Sequence, residues 1–199
     1  MRRLVVVAAL LSSEARADEL KSTREQPLVE VSHTVDIRIA DGVATYRVRR
    51  QFANPGKLAD EAGLAIDLPS GAVATGLRIR AKDRWYDGEL MERDKAAARY
   101  HELTGMGAAM AKDPALLQWR WSDKLYLQVF PVMPGGVSTV EYTLTVPTRY
   151  SNGRYWISYP RTDAMTTAPG TRPLAMPTVS VKPAWGDALT TITIDGRRV

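Results

Sequence analysis

Val29-Glu-Val-Ser-His-Thr-Val-Asp-Ile-Arg-Ile-Ala-Asp-Gly-Val-Ala-Thr-Tyr-Arg-Val-Arg-Arg-Gln-Phe52 decides the fold class. In its first half, Val29, Val31, Val35, Ile37 and Ile39 alternate with Glu30, Ser32, Thr34, Asp36 and Arg38. A period of two predicts a strand with one face buried. Asp41-Gly42 follows, a pair that tolerates positive φ at both positions and so closes a two-residue hairpin. On the return, Ala44, Tyr46, Val48 and Phe52 share one face, and Thr45, Arg47, Arg49 and Gln51 share the other. Two irregularities stand on the apolar faces. His33 reads as a core histidine with a hydrogen-bond partner. Arg50 marks either the sheet margin or a bulge.

Downstream the same grammar repeats. Asn54-Pro-Gly56 is a turn. Leu64, Ile66 and Leu68 form a short strand closed by Pro69-Ser-Gly71. Val73, Thr75, Leu77, Ile79 and Ala81 form the next, with Arg78, Arg80 and Lys82 on its other face, and Asp83-Arg84 turns the chain. Leu117, Trp119 and Trp121 alternate with polar residues. Leu125 to Phe130 is apolar on both sides and predicts a central strand. Val140, Tyr142, Leu144 and Val146 face one way; Thr139, Glu141, Thr143 and Thr145 face the other. Ser151-Asn-Gly153 signals another hairpin returning through Tyr155–Tyr159. Residues 161–178 read as a long surface excursion, and Val179–Val181 with Thr191–Ile194 as a final strand pair. One stretch breaks the pattern. Residues 94–104 predict the single helix, with Asp94 as N-cap, three alanines, an apolar stripe of Ala96, Tyr100 and Leu103, and Gly105 to end it. About three turns cannot bury that stripe alone, so the helix must lie on a sheet. The expected fold is mainly β, an antiparallel β-sandwich with one packed α-helix.

The N-terminus has another character. Arg2-Arg3, the apolar run Leu4–Leu11 and the small-x-small Ala15-Arg16-Ala17 read as a signal peptide over residues 1–17, cut before Asp18; the alternative reading of the apolar run is an ordinary buried N-terminal strand. Residues 18–27 are expected to be a flexible lead-in, and 28–199 one domain. Eight apolar residues are too few to span a bilayer, and no later run approaches that length. The expected location is therefore extracytoplasmic, periplasmic or secreted. Losing Arg2, Arg3, Arg16 and Glu14 lowers the net charge from +5 to +3, a mild excess that does not mark a nucleic-acid binder.

The 199 residues contain no cysteine and two histidines. Disulfide frameworks, zinc-thiolate sites, cysteine nucleophiles and lipid-modified cysteine anchors are excluded. No calcium loop, phosphate loop or Gly-x-Ser-x-Gly stretch is present. Glu89, Glu92 and Asp94 offer a carboxylate pair of the kind glycoside hydrolases use, but acids at a helix start are better read as complementing its dipole. Trp85, Trp119, Trp121 and Trp156 are expected in the core; exposed together they would form a sugar-stacking platform. The candidate binding residues are Arg47, Arg49, Arg78, Arg80 and Lys82, outward-facing on two strands. If those strands adjoin, they form a cationic patch suited to an anionic glycan or membrane surface. No catalytic residue, metal or cofactor is expected.

Taken in order, these landmarks resemble a known family. Asp41-Gly-Val-Ala44, Phe52-Ala-Asn-Pro55, Leu68-Pro69 with Gly71-Ala72, Gly88-Glu89 with Ala98-Arg-Tyr100 and Gly105, Pro134-Gly135 with Val140-Glu-Tyr142, and Gly153-Arg-Tyr155 resemble the VIT domain of vault proteins and inter-alpha-trypsin inhibitor heavy chains, over about residues 31–160. The resemblance implies a non-catalytic β-sandwich module in secreted or scaffold proteins, usually beside a von Willebrand A domain. The Asp-x-Ser-x-Ser metal site of that neighbour is absent from this sequence. A partner is therefore expected to be another protein, such as a von Willebrand A-type domain on a separate chain or in a further segment. The rival expectation is a glycan- or polyanion-binding envelope protein, or a glycoside hydrolase using Glu89 or Glu92.

Overall fold

The computed structural model describes residues 4–8, 20–89, 93–104, 114–121, 123–160, 174–183, 189–194 and 197–198. In chain order the elements are β1 (Leu4–Ala8), β2 (Leu20–Ser22), β3 (Val29–Ala40), β4 (Val43–Ala53), β5 (Asp60–Asp67), β6 (Val73–Ala81), β7 (Arg84–Asp87), α1 (Arg93–Thr104), β8 (Ala115–Trp121), β9 (Lys124–Val132), β10 (Val137–Pro147), β11 (Arg149–Ser151), β12 (Arg154–Ile157), β13 (Thr178–Pro183), β14 (Leu189–Ile194) and β15 (Arg197–Arg198). They form a six-stranded sheet, β13-β3-β4-β10-β6-β7, a four-stranded sheet, β2-β5-β9-β8, and a five-stranded sheet, β11-β12-β1-β14-β15.

The first two sheets make the sandwich. Val35, Ile37, Ile39, Tyr46, Val48, Tyr142 and Leu144 from the larger sheet share one core with Leu64, Ile66, Leu125, Leu127 and Val129 from the smaller. The alternation in sequence becomes the two faces of each strand. The hairpin turns form as expected, with positive φ at Asp41 and Gly42 and again at Asn152 and Gly153. Most pairings are antiparallel. Among the described residues three are parallel: β13 on β3, and β1 on both β12 and β14. The last strands therefore do not pair with each other as the sequence suggested. β13 extends the edge beyond β3, while β14 joins the third sheet.

The helix lies against the face of the four-stranded sheet that points away from the core. Tyr100 is buried, and its hydroxyl donates to Glu61 Oε2 at 2.6 Å. Gln128 donates to the other Glu61 oxygen at 3.1 Å. Ala96 and Leu103 are half-buried beside it. Asp94 falls inside the first helical turn rather than at the N-cap, where its charge still complements the helix dipole. Gly105 lies outside the described residues.

The stretch expected to be a flexible lead-in is tied down from Leu20 onward. Leu20 is buried and pairs with Leu64 on β5. The buried Asp60 carboxylate accepts from Arg24 N at 2.9 Å, Gln26 N at 3.1 Å, Glu61 N at 2.7 Å and the Ser22 hydroxyl. A buried carboxylate needs such donors, and this polar segment supplies three of them.

Within the six-stranded sheet, two bulges interrupt the alternation. On β3 the register against β4 shifts between Glu30 and Ser32. Val31 is the extra residue, so it turns outward and is 52% exposed, while Glu30 turns in. On β6 the shift against β10 makes Thr75 the extra residue. Ala74, not Thr75, packs on the core, and Val73 is exposed. Each bulge moves side chains to the opposite face.

The first bulge resolves the problem of Arg50. This guanidinium is 1% exposed. It donates to Glu30 Oε1 at 3.2 Å and to the Tyr142 hydroxyl at 3.3 Å. Glu30 Oε2 accepts from Ala175 N at 3.1 Å, pinning the approach to β13. Beside them, buried His33 shares a 2.7 Å hydrogen bond with Tyr159.

Removing one member of a buried ion pair strands the other. Glu30→Ala is expected to cost about 3–5 kcal/mol in urea unfolding, and Val31→Ser no more than about 0.5 kcal/mol. The reverse ranking would place Val31 inside and remove the bulge. Burial, with Arg50 nearby, lowers the His33 pKa from 6.5 to about 3. Between those values the unfolded chain binds a proton that the folded chain does not, so stability falls as pH drops from 6.5 toward 3. The slope from His33 approaches about 1.4 kcal/mol per pH unit. Unfolding curves for wild type and His33→Gln from about pH 6.5 to pH 4 should show a shallower loss in the variant; parallel losses would contradict this assignment.

Candidate functional site

The outer face of the six-stranded sheet carries the candidate residues. Arg47 and Arg49 are on β4, and Arg78 and Arg80 on β6. These strands do not adjoin, because β10 runs between them. Its register sets Glu141 opposite Arg49 on one side and opposite Arg78 on the other. The expected cationic patch therefore has a carboxylate at its centre.

Glu141 is 2% exposed although it lies on the outward face. The arginines cover it. Arg49 donates from Nε at 3.1 Å and Nη2 at 2.8 Å, both to Oε2. Arg78 straddles Oε1, with Nε at 2.8 Å and Nη2 at 2.6 Å. Arg47 Nε lies 3.4 Å from the same Oε1. Charge-assisted hydrogen bonds of this kind fix direction as well as attraction. Trp85 on β7 adds a second constraint. The guanidinium carbon of Arg78 is 4.4 Å from its ring centroid and that of Arg49 is 5.4 Å away, both within cation–π range. Three cations thus converge on one anion, with Asp36 opposite Arg47 and Asp87 opposite Arg78 on the same face. The side chains of Arg47 and Arg49 remain 60% and 44% exposed.

The other two candidates stand apart from this convergence. Arg80, opposite Trp85 in the β6–β7 register, pairs with Asp83 at 2.8 Å. Lys82 is exposed in the turn between those strands, with φ of 47°, and Asp83 follows at 62°. A left-handed backbone at a lysine is uncommon and marks the tight turn between β6 and β7.

Sequence reasoning missed Glu141 and Trp85. Glu141 had a signal, as the lone charge among Thr139, Thr143 and Thr145 on the outward face of β10. Trp85 was expected in the core, as were Trp119 and Trp156. Trp85 and Trp156 are half-buried and Trp119 is exposed, each on a different sheet. Trp85 leaves the core because its strand is an edge and its ring serves the arginines. The Trp121 side chain lies outside the described residues. Glu89 is exposed, Asp94 is exposed on the helix, and Glu92 lies outside the described residues.

Residues 31–146 match the family model of the vault protein inter-alpha-trypsin domain. The chain belongs to this family. The VIT match spans more than half of the sequence and ends before the Gly153-Arg-Tyr155 hairpin that the landmarks suggested as its close. Arg47, Arg49, Arg78, Trp85 and Glu141 all fall inside it, so the convergence is built on the VIT domain itself. No curated protein matches the sequence. Among solved structures, a mutant two-domain M1 zinc metallopeptidase bound to L-arginine is similar at 10% identity, over 63% of this chain and 22% of that one, with a TM-score of 0.29. A likeness of that size carries no argument here. No helix among the described residues is long and apolar enough to cross a membrane.

The surroundings of Glu141 set what its neutralisation should do. Its arginine partners reach solvent and regain hydration when the charge is lost. Glu141→Gln is therefore expected to cost about 1 kcal/mol in urea unfolding, well below the loss for Glu30→Ala. Equal losses would mean that the outer arginines are as desolvated as Arg50.

Proposed function

We propose that this chain is a non-catalytic, extracytoplasmic protein-interaction module whose contact surface is the outer face of the six-stranded sheet. Membership of the VIT family supports an interaction module. The single observation that carries the choice of surface is the convergence of Arg47, Arg49 and Arg78 on Glu141. It orders cations on a broad sheet face while leaving two of them largely exposed. Rim charges of this kind steer association and select partners more than they add affinity. The partner is another protein, for example a von Willebrand A-type domain on a separate chain or in a further segment. Arg80, paired with Asp83, and Lys82, in the turn after β6, lie beside that convergence.

The location follows from residues 1–17 acting as a signal peptide cut before Asp18. Leu4–Ala8 pairs with β12 and β14 in the uncut chain, so cleavage removes the strand between them. A second reading, an anionic-glycan binder, draws on exposed Trp119 and on Trp85 beside the arginines. Of the two carboxylates in the hydrolase reading, Glu89 is exposed.

The test has two parts. Intact mass of the protein recovered from envelope and secreted fractions should begin at Asp18; retention of residues 1–17 would contradict the location. Affinity capture from those fractions should recover a protein with wild type and lose it with Arg47, Arg49, Arg78 and Arg80 all changed to Ser. Equal recovery by the quadruple variant would place the contact elsewhere, and recovery of polysaccharide alone would favour the glycan reading.

A further inference from the structure

Resting on the reading that this face makes the contact, we infer that the arginines form a pre-organised clamp for an extended acidic protein segment, with Glu141 and Trp85 as its positioning residues. The two basic strands set the geometry. Arg47 and Arg49 are two residues apart on β4 and repeat at roughly 6.8 Å along the strand; on β6, Arg78 has the same spacing from Arg80, which Asp83 already holds. The side chains on one face of any extended peptide repeat at the same interval. Acidic residues at alternate positions of such a peptide therefore meet Arg47 and Arg49 in step. The two arginine rows lie two strand spacings apart, roughly 10 Å, with β10 as the floor between them.

Glu141 is the residue that makes this a clamp rather than a diffuse field. Each neighbouring guanidinium meets it through Nε and Nη2, which fixes the plane of Arg49 and Arg78 before any partner arrives. Trp85 holds the same two guanidinia from the side. A planar guanidinium held in place loses less freedom per hydrogen bond it forms. The carboxylate already in the array shows which anion these donors suit. The proposal also explains why a buried acid occupies the centre of a basic patch, a position where simple electrostatic attraction of an anion would be better served by Gln.

That last point gives a discriminating experiment. Diffuse attraction and a positioned clamp predict opposite effects of Glu141→Gln, which raises the net charge by one. The full chain, cut or uncut as it is recovered, is titrated by fluorescence anisotropy with two labelled peptides of equal composition, one with Glu at alternate positions and one with all Glu in a block. Wild type is expected to bind the alternating peptide at least about fivefold more tightly. Glu141→Gln and Trp85→Leu are each expected to weaken that binding by about fivefold or more and to erase the preference. Arg47→Ser, at a largely exposed position, should weaken it without altering thermal unfolding, so a loss of binding cannot be assigned to misfolding. Binding by Glu141→Gln that equals or exceeds wild type overturns the clamp. Equal affinity for the two peptides overturns the extended segment. Retention of a heparin oligosaccharide with no peptide binding overturns the protein ligand in favour of a sulfated glycan. Partner capture that survives the quadruple arginine variant removes the parent reading instead, so the two failures remain distinct.

Discussion

The pairing of Arg49 with Glu141, and of Glu141 with Arg78, is the constraint on which both faces of the large sheet depend. Cross-strand register fixes which residues share a side, and a slip of one residue exchanges the two sides entirely. In the register observed, Val48, Tyr142 and Leu77 line up inward on β4, β10 and β6. Their neighbours, Arg49, Glu141 and Arg78, line up outward. Core packing and the arginine convergence are therefore one structural choice seen from opposite sides. The chain could not keep the apolar interior and disperse the arginines without changing the sequence of β10.

Two carboxylates illustrate how surroundings give the same residue type different work. Glu30 faces Arg50, and both are enclosed. That pair anchors the end of the sandwich, reaches Tyr142 through Arg50, and pins the chain at Ala175. Glu141 is equally hidden, but its partners extend into solvent. The first arrangement couples charge to the integrity of the fold. The second hides only the acid and leaves the cations available. Burial of a charged group is thus not by itself a sign of structural or of binding purpose; the exposure of its partners separates the two.

The sequence made the strands, the turns at Asp41-Gly42 and Asn152-Gly153, the central position of β9 and the lone helix readable, because each rests on local chemistry and periodicity. What it concealed came from long-range pairing. Gly76, inside β6, is a local mark of the second bulge, but nothing near Val31 marks the first, and each bulge reverses the faces of its neighbours. Nothing near Leu20 to Gln26 reveals that Asp60, far along the chain, will gather their donors. The candidate arginines were legible as outward-facing cations, but their organiser was not, since Glu141 acquires its role only when β10 is placed between β4 and β6. Trp85 was misjudged for the same reason: hydrophobicity argues for the interior, and only its place on an edge strand beside two guanidinia puts it outside.

A clamp requires that the arginines be ordered in the free protein. Guanidinium groups held by hydrogen bonds give dispersed, slowly exchanging Nε–H resonances, whereas freely hydrated ones average together. A nitrogen–proton correlation spectrum of the arginine side chains addresses this directly, with assignment by single Arg→Lys variants. Separate, protected signals are expected for Arg49 and Arg78, collapsing to the averaged position in Glu141→Gln. Averaged signals for both residues in the unaltered protein would contradict the clamp.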